Sequence, residues 1–271
     1  MEQLYNNRIV ESYNKSEGML NTDYTDSTGV FHRADGVDCP YCNNRGDFMV
    51  LTDDGEISLL FCTKCHTQRM NVNRLRRSGI ERLAVKYTFD SYSANNEWQR
   101  KLLGIVKKYK DIGFNDGKWL YVGGQSGSGK SHLCTAATVS LMKYCDVIYV
   151  IWPTETRKIK AVAMDAEKYD DAVKRLQNVK LLYIDDFFKP VFNSTGFDIS
   201  TSKADVALAY NILNYRYNNR LPTIISSELY SSEIEQIDEA IFGRIAESCG
   251  EFRVDVSRDK AKNYRAQNTM I

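Results

Sequence analysis

Residues Gly124-Gln-Ser-Gly-Ser-Gly-Lys-Ser131 satisfy the pattern GxxxxGK[ST] at every fixed position, and their flanks constrain the fold more than any other feature of the chain. The apolar run 118–122 before them reads as a short strand, and 130–144 after them as a helix. A strand that turns through glycines into a helix N-terminus aims backbone N–H groups and the helix dipole at one point, which makes a phosphate site. In this reading Gly124, Gly127, Ser128 and Gly129 shape the cradle. Lys130 places a point charge where the β- and γ-phosphates of a nucleotide lie, and Ser131 offers its hydroxyl to Mg²⁺.

The rest of the second half follows the same architecture. A helix with a basic outer face is expected over 97–110, strands over 146–152, 180–184 and 223–226, and helical stretches over 156–177 and 203–218. Strands alternating with helices predict an α/β domain with four parallel strands. The strand at 180–184 runs into Asp185 and Asp186, and a parallel sheet sets such strand ends beside the phosphate loop. Asp185 is expected to hold Mg²⁺ and Asp186 to orient or deprotonate the attacking water. Aspartate reaches less far than glutamate, so slow hydrolysis is expected.

Composition limits the partners. Lys and Arg number 36 against 35 Asp and Glu, a formal net charge of +1, so any nucleic-acid contact must be a local patch. With 43% hydrophobic and 26% charged residues, the chain can bury a sizeable core. No run approaches the ~18 apolar residues that a membrane helix needs. Residues 1–20 carry charges through what would be the core of a signal peptide, so a cytoplasmic location with no membrane partner is expected.

Four of the seven cysteines stand in two pairs, Cys39-Pro-Tyr-Cys42 and Cys62-Thr-Lys-Cys65. Their separation matches C-x₂-C-x₁₅₋₂₀-C-x₂-C, a zinc pattern. Each pair turns tightly and aims two thiolates at one point, as tetrahedral Zn²⁺ requires. Strand-like runs at 48–51 and 57–61, joined through Asp53-Asp54-Gly55, complete a zinc ribbon. His66 and His32 leave a three-thiolate, one-imidazole set open, and a redox CxxC is the competing chemistry. Cys134, Cys145 and Cys249 read as buried small hydrophobes. His132, which follows Ser131, reads as a helix-packing residue.

Taken together, Tyr87-Thr-Phe-Asp-Ser-Tyr92, the phosphate loop, Leu182-Tyr-Ile-Asp-Asp186, the run from Asn214 to Ile225 and Gly243-Arg-Ile245 resemble the AAA+ helicase loaders of bacteria and phages, the DnaC/DnaI group, with the IstB transposition ATPases as near relatives. The resemblance covers about residues 86–271. It implies an AAA+ P-loop NTPase domain at 86–271, preceded by a small zinc-binding, helicase-interacting domain at 1–85. It further implies an ATP- and Mg²⁺-dependent ATPase that binds a hexameric DnaB-type replicative helicase and single-stranded DNA and self-associates through AAA+ interfaces. Ser227, or Ser226, stands at the sensor-1 position, and Glu228 departs from the polar residue usual there. Arg244 resembles an arginine finger and Arg265 a sensor-2 residue.

Local candidates for DNA contact are Arg69, Arg74, Arg76 and Arg77, then Lys101, Lys107, Lys108 and Lys110, and finally Tyr215, Arg216, Tyr217 and Arg220. The alternatives in function are an IstB-like regulator of a transposase and a non-hydrolysing, nucleotide-bound zinc adaptor.

Overall fold

The computed structural model describes residues 23–193, 196–198 and 201–264. It divides into two compact units between Arg77 and Ser78. This division precedes the expected boundary between 85 and 86, because Ile80 and Ala84 are fully buried in the second unit, where the helix Glu81–Ala84 packs on the helix after the phosphate loop.

The first unit holds a short antiparallel pair, β1 (Tyr24–Thr25) with β2 (Phe31–His32), then a hairpin of β3 (Asp47–Leu51) and β4 (Ile57–Phe61), and the helix His66–Ser78. The hairpin turns through Asp53-Asp54-Gly55 as its sequence predicts. Gly55 sits at φ +80° and donates its N–H to the Thr52 carbonyl at 2.9 Å. The register runs from Asp47↔Phe61 to Leu51↔Ile57.

The second unit is an α/β sandwich. Its five-stranded sheet runs, from one edge to the other, through Arg253–Val256, Leu120–Gly124, Thr223–Ser226, Leu181–Asp185 and Val147–Ile151, with every neighbouring pair parallel. The strands are β5 (Leu120–Gly124), β6 (Val147–Ile151), β7 (Leu181–Asp185), β10 (Thr223–Ser226) and β11 (Arg253–Val256). A small hairpin of β8 (Val191–Asn193) and β9 (Gly196–Asp198) projects after β7. Four of the sheet strands match the expected ones. The fifth, β11, is an edge strand whose Arg-Val-Asp-Val carries too little apolar patterning to stand out.

The central strands are apolar on both faces because helices cover both, and Leu120, Val122, Leu182, Ile184, Ile224 and Ile225 are fully buried. Each such side chain contributes roughly 1.5–3 kcal/mol on burial. The helix Glu97–Lys108 begins at a capping box between Asn96 and Gln99 and continues into a π-helical turn, Tyr109–Gly113. The single helical stretch expected over 156–177 is two helices, Trp152–Ala161 and Ala166–Asn178. Asp165 restarts the chain as an N-cap by accepting from the Lys168 N–H.

Register places the working ends together. Ser226 lies opposite Val122, and Ile225 opposite Ile184, so β5, β7 and β10 deliver the phosphate loop, Asp185 and Ser226 to one edge of the sheet. That edge is the carboxyl end of the strands, where open α/β sheets bind ligands.

Candidate functional site

The phosphate loop connects β5 to the helix Lys130–Leu141. Gly124 has φ +97°, and a Cβ there would lie 2.0 Å from the Val256 carbonyl oxygen, so any side chain would collide with β11. Gly129 has φ +88°, and its missing Cβ leaves room for the Tyr92 ring. The Ser128 hydroxyl donates to the Gln125 carbonyl at 2.8 Å and closes the loop.

Lys130 is buried, and its ammonium donates to the carbonyls of Gly124 at 2.9 Å and Gln125 at 2.7 Å. Burial pulls its pKa down to about 8, against the pull of Glu228 and Asp185. Phosphate oxygens favour the charged form, so binding raises that pKa and takes up a proton once pH exceeds about 8. Nucleotide affinity is therefore expected to fall as pH rises from 8 to 10, by up to about tenfold per unit. Calorimetric titrations in buffers of different ionisation enthalpy should read about one proton taken up at pH 9 and about a tenth at pH 7. Equal uptake at both would remove Lys130 from phosphate contact.

Asp185 ends β7 almost fully buried and serves as a hub. Ser131 Oγ donates to it at 2.9 Å, Tyr149 Oη at 3.3 Å and the Asp186 N–H at 3.1 Å, and the Ser226 hydroxyl also donates to it. Four donors on one carboxylate fix its orientation. Ser131 and Asp185 thus meet as the pair expected to hold Mg²⁺, which supplies charge neutralisation to the phosphates when bound. Ser226 is the alternative sensor-1 residue of the sequence reading, whereas Tyr149, in the middle of β6, is a partner that motif reasoning did not find.

Ser227 lines the same cavity as Ser226. Its hydroxyl donates to the Phe187 carbonyl at 2.6 Å and accepts the Leu229 N–H at 3.0 Å, which commits it to backbone. Asp186, at φ +54°, forms an ion pair with Lys189 at 2.8 Å, and no motif had singled out that lysine.

These groups line a cavity of about 510 Å³ together with Lys130, Glu228 and Tyr264. At its other end His132 stacks on Tyr87 with ring centroids 4.8 Å apart and meets Tyr92 edge-on at 5.2 Å. The imidazole also reaches the Thr88 carbonyl at 2.8 Å, so it packs the helix as expected and lines the cavity as well. The Tyr92 hydroxyl is buried without a hydrogen-bond partner among the described residues. Tyr92 lines an adjoining pocket that shares Tyr87 and His132 with this cavity, and an aromatic wall of this kind suits a nucleotide base. Tyr264 closes over the loop by donating its N–H to the Gly127 carbonyl at 3.0 Å. Arg265 lies outside the described residues.

Arg244 does not line this cavity. It lies between Tyr210 and Tyr217, 4.7 and 5.6 Å from their ring centroids, and donates to Asn214 Oδ1 at 2.8 Å and to the Ala240 carbonyl at 2.9 Å.

In the first unit Cys39, Cys42, Cys62 and Cys65 are all buried, and their sulfurs lie within 4.8 Å of one another. Sγ of Cys39 and Cys62 are 3.9 Å apart, and those of Cys42 and Cys65 3.7 Å. A tetrahedron with Zn–S bonds of about 2.3 Å has edges of about 3.8 Å, which these two distances match. Neither histidine joins the cluster, since His66 packs on Phe61 and His32 faces Asp26 and Asp38. The Gly46 N–H donates to Cys42 Sγ and Arg69 Nε to Cys65 Sγ, both at 3.2 Å.

That arginine corrects the basic patch. Arg69 is buried, paired with Asp35 and bonded to the carbonyls of Val37 and Asn44 at 2.8 and 2.9 Å, so it supports the metal centre and does not face DNA. Arg76 turns inward to the Ala34 carbonyl. Arg216 is likewise buried and removed from any DNA contact.

No family model matches the chain. It is 28% identical over 230 residues to the phage-like element PBSX protein XkdC of Bacillus subtilis strain 168, covering 82% of this chain and 83% of that protein. Among solved structures, the DnaC helicase loader superposes with a TM-score of 0.53 at 22% identity, covering 64% of this chain and 97% of that one. The fold is that of the DnaC/DnaI helicase loaders. DnaI itself gives a TM-score of 0.50 at 18% identity over 64% of this chain and 91% of that one. The five-stranded parallel sheet with its helices, and the cluster of four cysteines ahead of it in the chain, agree with the predicted architecture. Among the described residues no helix is long and apolar enough to cross a membrane.

Proposed function

We propose that the protein is an ATP-dependent loader that binds a hexameric DnaB-type replicative helicase and delivers it to single-stranded DNA. The observation that carries this reading is the loader fold with its phosphate loop, carboxylate hub and aromatic end meeting at one cavity. In this reading residues 86–271 are the ATPase. Lys130 and the loop amides bind the β- and γ-phosphates, Ser131 and Asp185 hold Mg²⁺, and Asp186 takes the proton of the attacking water. Arg244 leaves its tyrosine cradle to reach the γ-phosphate of a neighbouring copy, so hydrolysis loosens the assembly.

Residues 1–85 grip the helicase. The hairpin offers a face for it: Met49, Leu51 and Ile57 are each 74% exposed, and Leu59 and Phe61 continue the same side. Contiguous apolar surface of this kind on a soluble protein marks an interaction site.

The test is native mass spectrometry of the zinc-loaded protein with hexameric replicative helicases, in ATP and in ADP. A stoichiometric complex is expected, lost in Leu59→Glu and no longer nucleotide-responsive in Lys130→Ala. Absence of any complex, with ATP binding intact, would transfer the reading to an IstB-like regulator of a transposase.

A further inference from the structure

Immediately after β7 the chain reverses twice. Asp186 and Phe188 both adopt left-handed backbone, at φ +54° and +46°. Such conformations persist in non-glycine residues where the surroundings over-determine them, and they gather at working sites. Here the surroundings are aromatic. Phe187 and Phe188 are buried and stacked at 4.1 Å, with Trp152 edge-on to Phe187 at 5.2 Å. The Phe187 N–H donates to the Ser226 carbonyl at 3.0 Å, and its own carbonyl accepts from Ser227 Oγ. The backbone is therefore pinned, and it returns Lys189 over Asp186, with Nζ 2.8 Å from Oδ2.

Lys189 lines the cavity beside Lys130, Asp185, Asp186 and Glu228, and its side chain is 45% exposed. Lys86 lines it too, but its ammonium lies 5.5 Å from the Tyr87 ring centroid, at the aromatic end. The carboxylate end thus has three acids and two ammonium groups.

We propose that Lys189 is a γ-phosphate-binding residue that exchanges partners, holding Asp186 when the site lacks a triphosphate and the terminal phosphate when one is bound. The four-carbon stem swings while the pinned backbone stays still. A γ-phosphate carries more negative charge than a carboxylate and wins the ammonium. Asp186 is then released to accept a water proton as the water oxygen bonds to phosphorus. The bond from phosphorus to the β-phosphate bridging oxygen breaks with its electron pair on ADP, and the proton leaves Asp186 for solvent.

This inference rests on the proposed ATP binding, and the test separates the two. Affinities for a non-hydrolysable ATP analogue and for ADP, both with Mg²⁺, are measured for the wild type, Lys189→Ala and Lys189→Arg. Loss of one charge-assisted hydrogen bond predicts analogue binding weaker by about tenfold or more in Lys189→Ala, with ADP affinity unchanged and most of the loss recovered in Lys189→Arg. A wild type that binds neither nucleotide overturns the ATP reading and this one with it. A wild type that binds both, with the same ratio in Lys189→Ala, overturns the role of Lys189 alone, whether hydrolysis in that variant rises or is unchanged.

Discussion

Chelation of zinc is expected to unfold the first unit and leave the second folded. The reason is how little else holds that unit together. Among its described residues, the buried apolar side chains besides the four cysteines are Val37, Val72 and Leu75. The hairpin contributes no buried face of its own, since Met49, Leu51, Ile57, Leu59 and Phe61 are exposed. A structural zinc supplies about 10–16 kcal/mol of apparent folding energy in small metal domains, well above the few kcal/mol that a core of this size leaves over. Removing the metal also leaves four sulfurs packed at thiol contact distance with no charge to gather them.

Hydrogen exchange on the full chain reads the outcome directly. With a strong chelator, or in Cys62→Ser, amides of β3, β4 and the helix His66–Ser78 should lose protection, while β5, β7 and β10 keep theirs. Protection that survives chelation in the hairpin would mean that the thiols do not hold metal, and the cluster would then be a sulfur-rich core.

The two motifs legible in the sequence are those whose chemistry demands residue type and spacing together. A phosphate cradle needs glycines at fixed steps before a lysine, and a tetrahedral thiolate centre needs two tight pairs. The groups that were not legible act through tertiary placement. Tyr149 reaches Asp185 because β6 flanks β7, an adjacency created by sheet order and not by sequence spacing, and the contact of Ser226 with Asp185 from β10 arises in the same way although the residue itself was named. Lys189 follows two phenylalanines that the structure buries, and its return to Asp186 depends on backbone that no apolar period encodes. The basic runs misled in the opposite direction. Charge on a list of residues suggests an exposed patch, yet Arg69 and Arg76 spend theirs on carbonyls and an acid inside the first unit. A buried arginine is invisible to a patch argument because its acceptors are backbone oxygens.

Arg216 is the extreme case, and its replacement is expected to be the most damaging single change in the second unit. The side chain is fully buried. Nε donates to Thr223 Oγ1 at 2.9 Å, and Nη1 donates to the carbonyls of Leu176 and Gln177 at 3.0 Å and Val179 at 2.8 Å. Nη2 donates to the carbonyls of Pro222 at 2.7 Å and Lys180 at 3.4 Å. Burial pulls its pKa down to about 9, which still leaves the guanidinium charged at neutral pH. The partners end the helix Ala166–Asn178, where carbonyls point outward without helical acceptor partners and the dipole is negative, and they open β7 and β10. One planar fork therefore fastens the entry of the two strands whose far ends carry Asp185 and Ser226.

Truncation leaves a cavity and a set of buried carbonyls with no donor. Losses of this kind cost about 3–5 kcal/mol. For a unit of this size that lowers its melting temperature by roughly 6–20 °C. Lysine cannot rescue the site, because a single ammonium has three donors and no fork. Thermal unfolding of Arg216→Ala and Arg216→Lys, followed by tryptophan fluorescence, should show both strongly destabilised, with nucleotide binding intact below the lowered transition. Melting of Arg216→Lys within about 2 °C of the wild type would mean that water already solvates these carbonyls, and the strand entries would then owe their order to apolar packing alone.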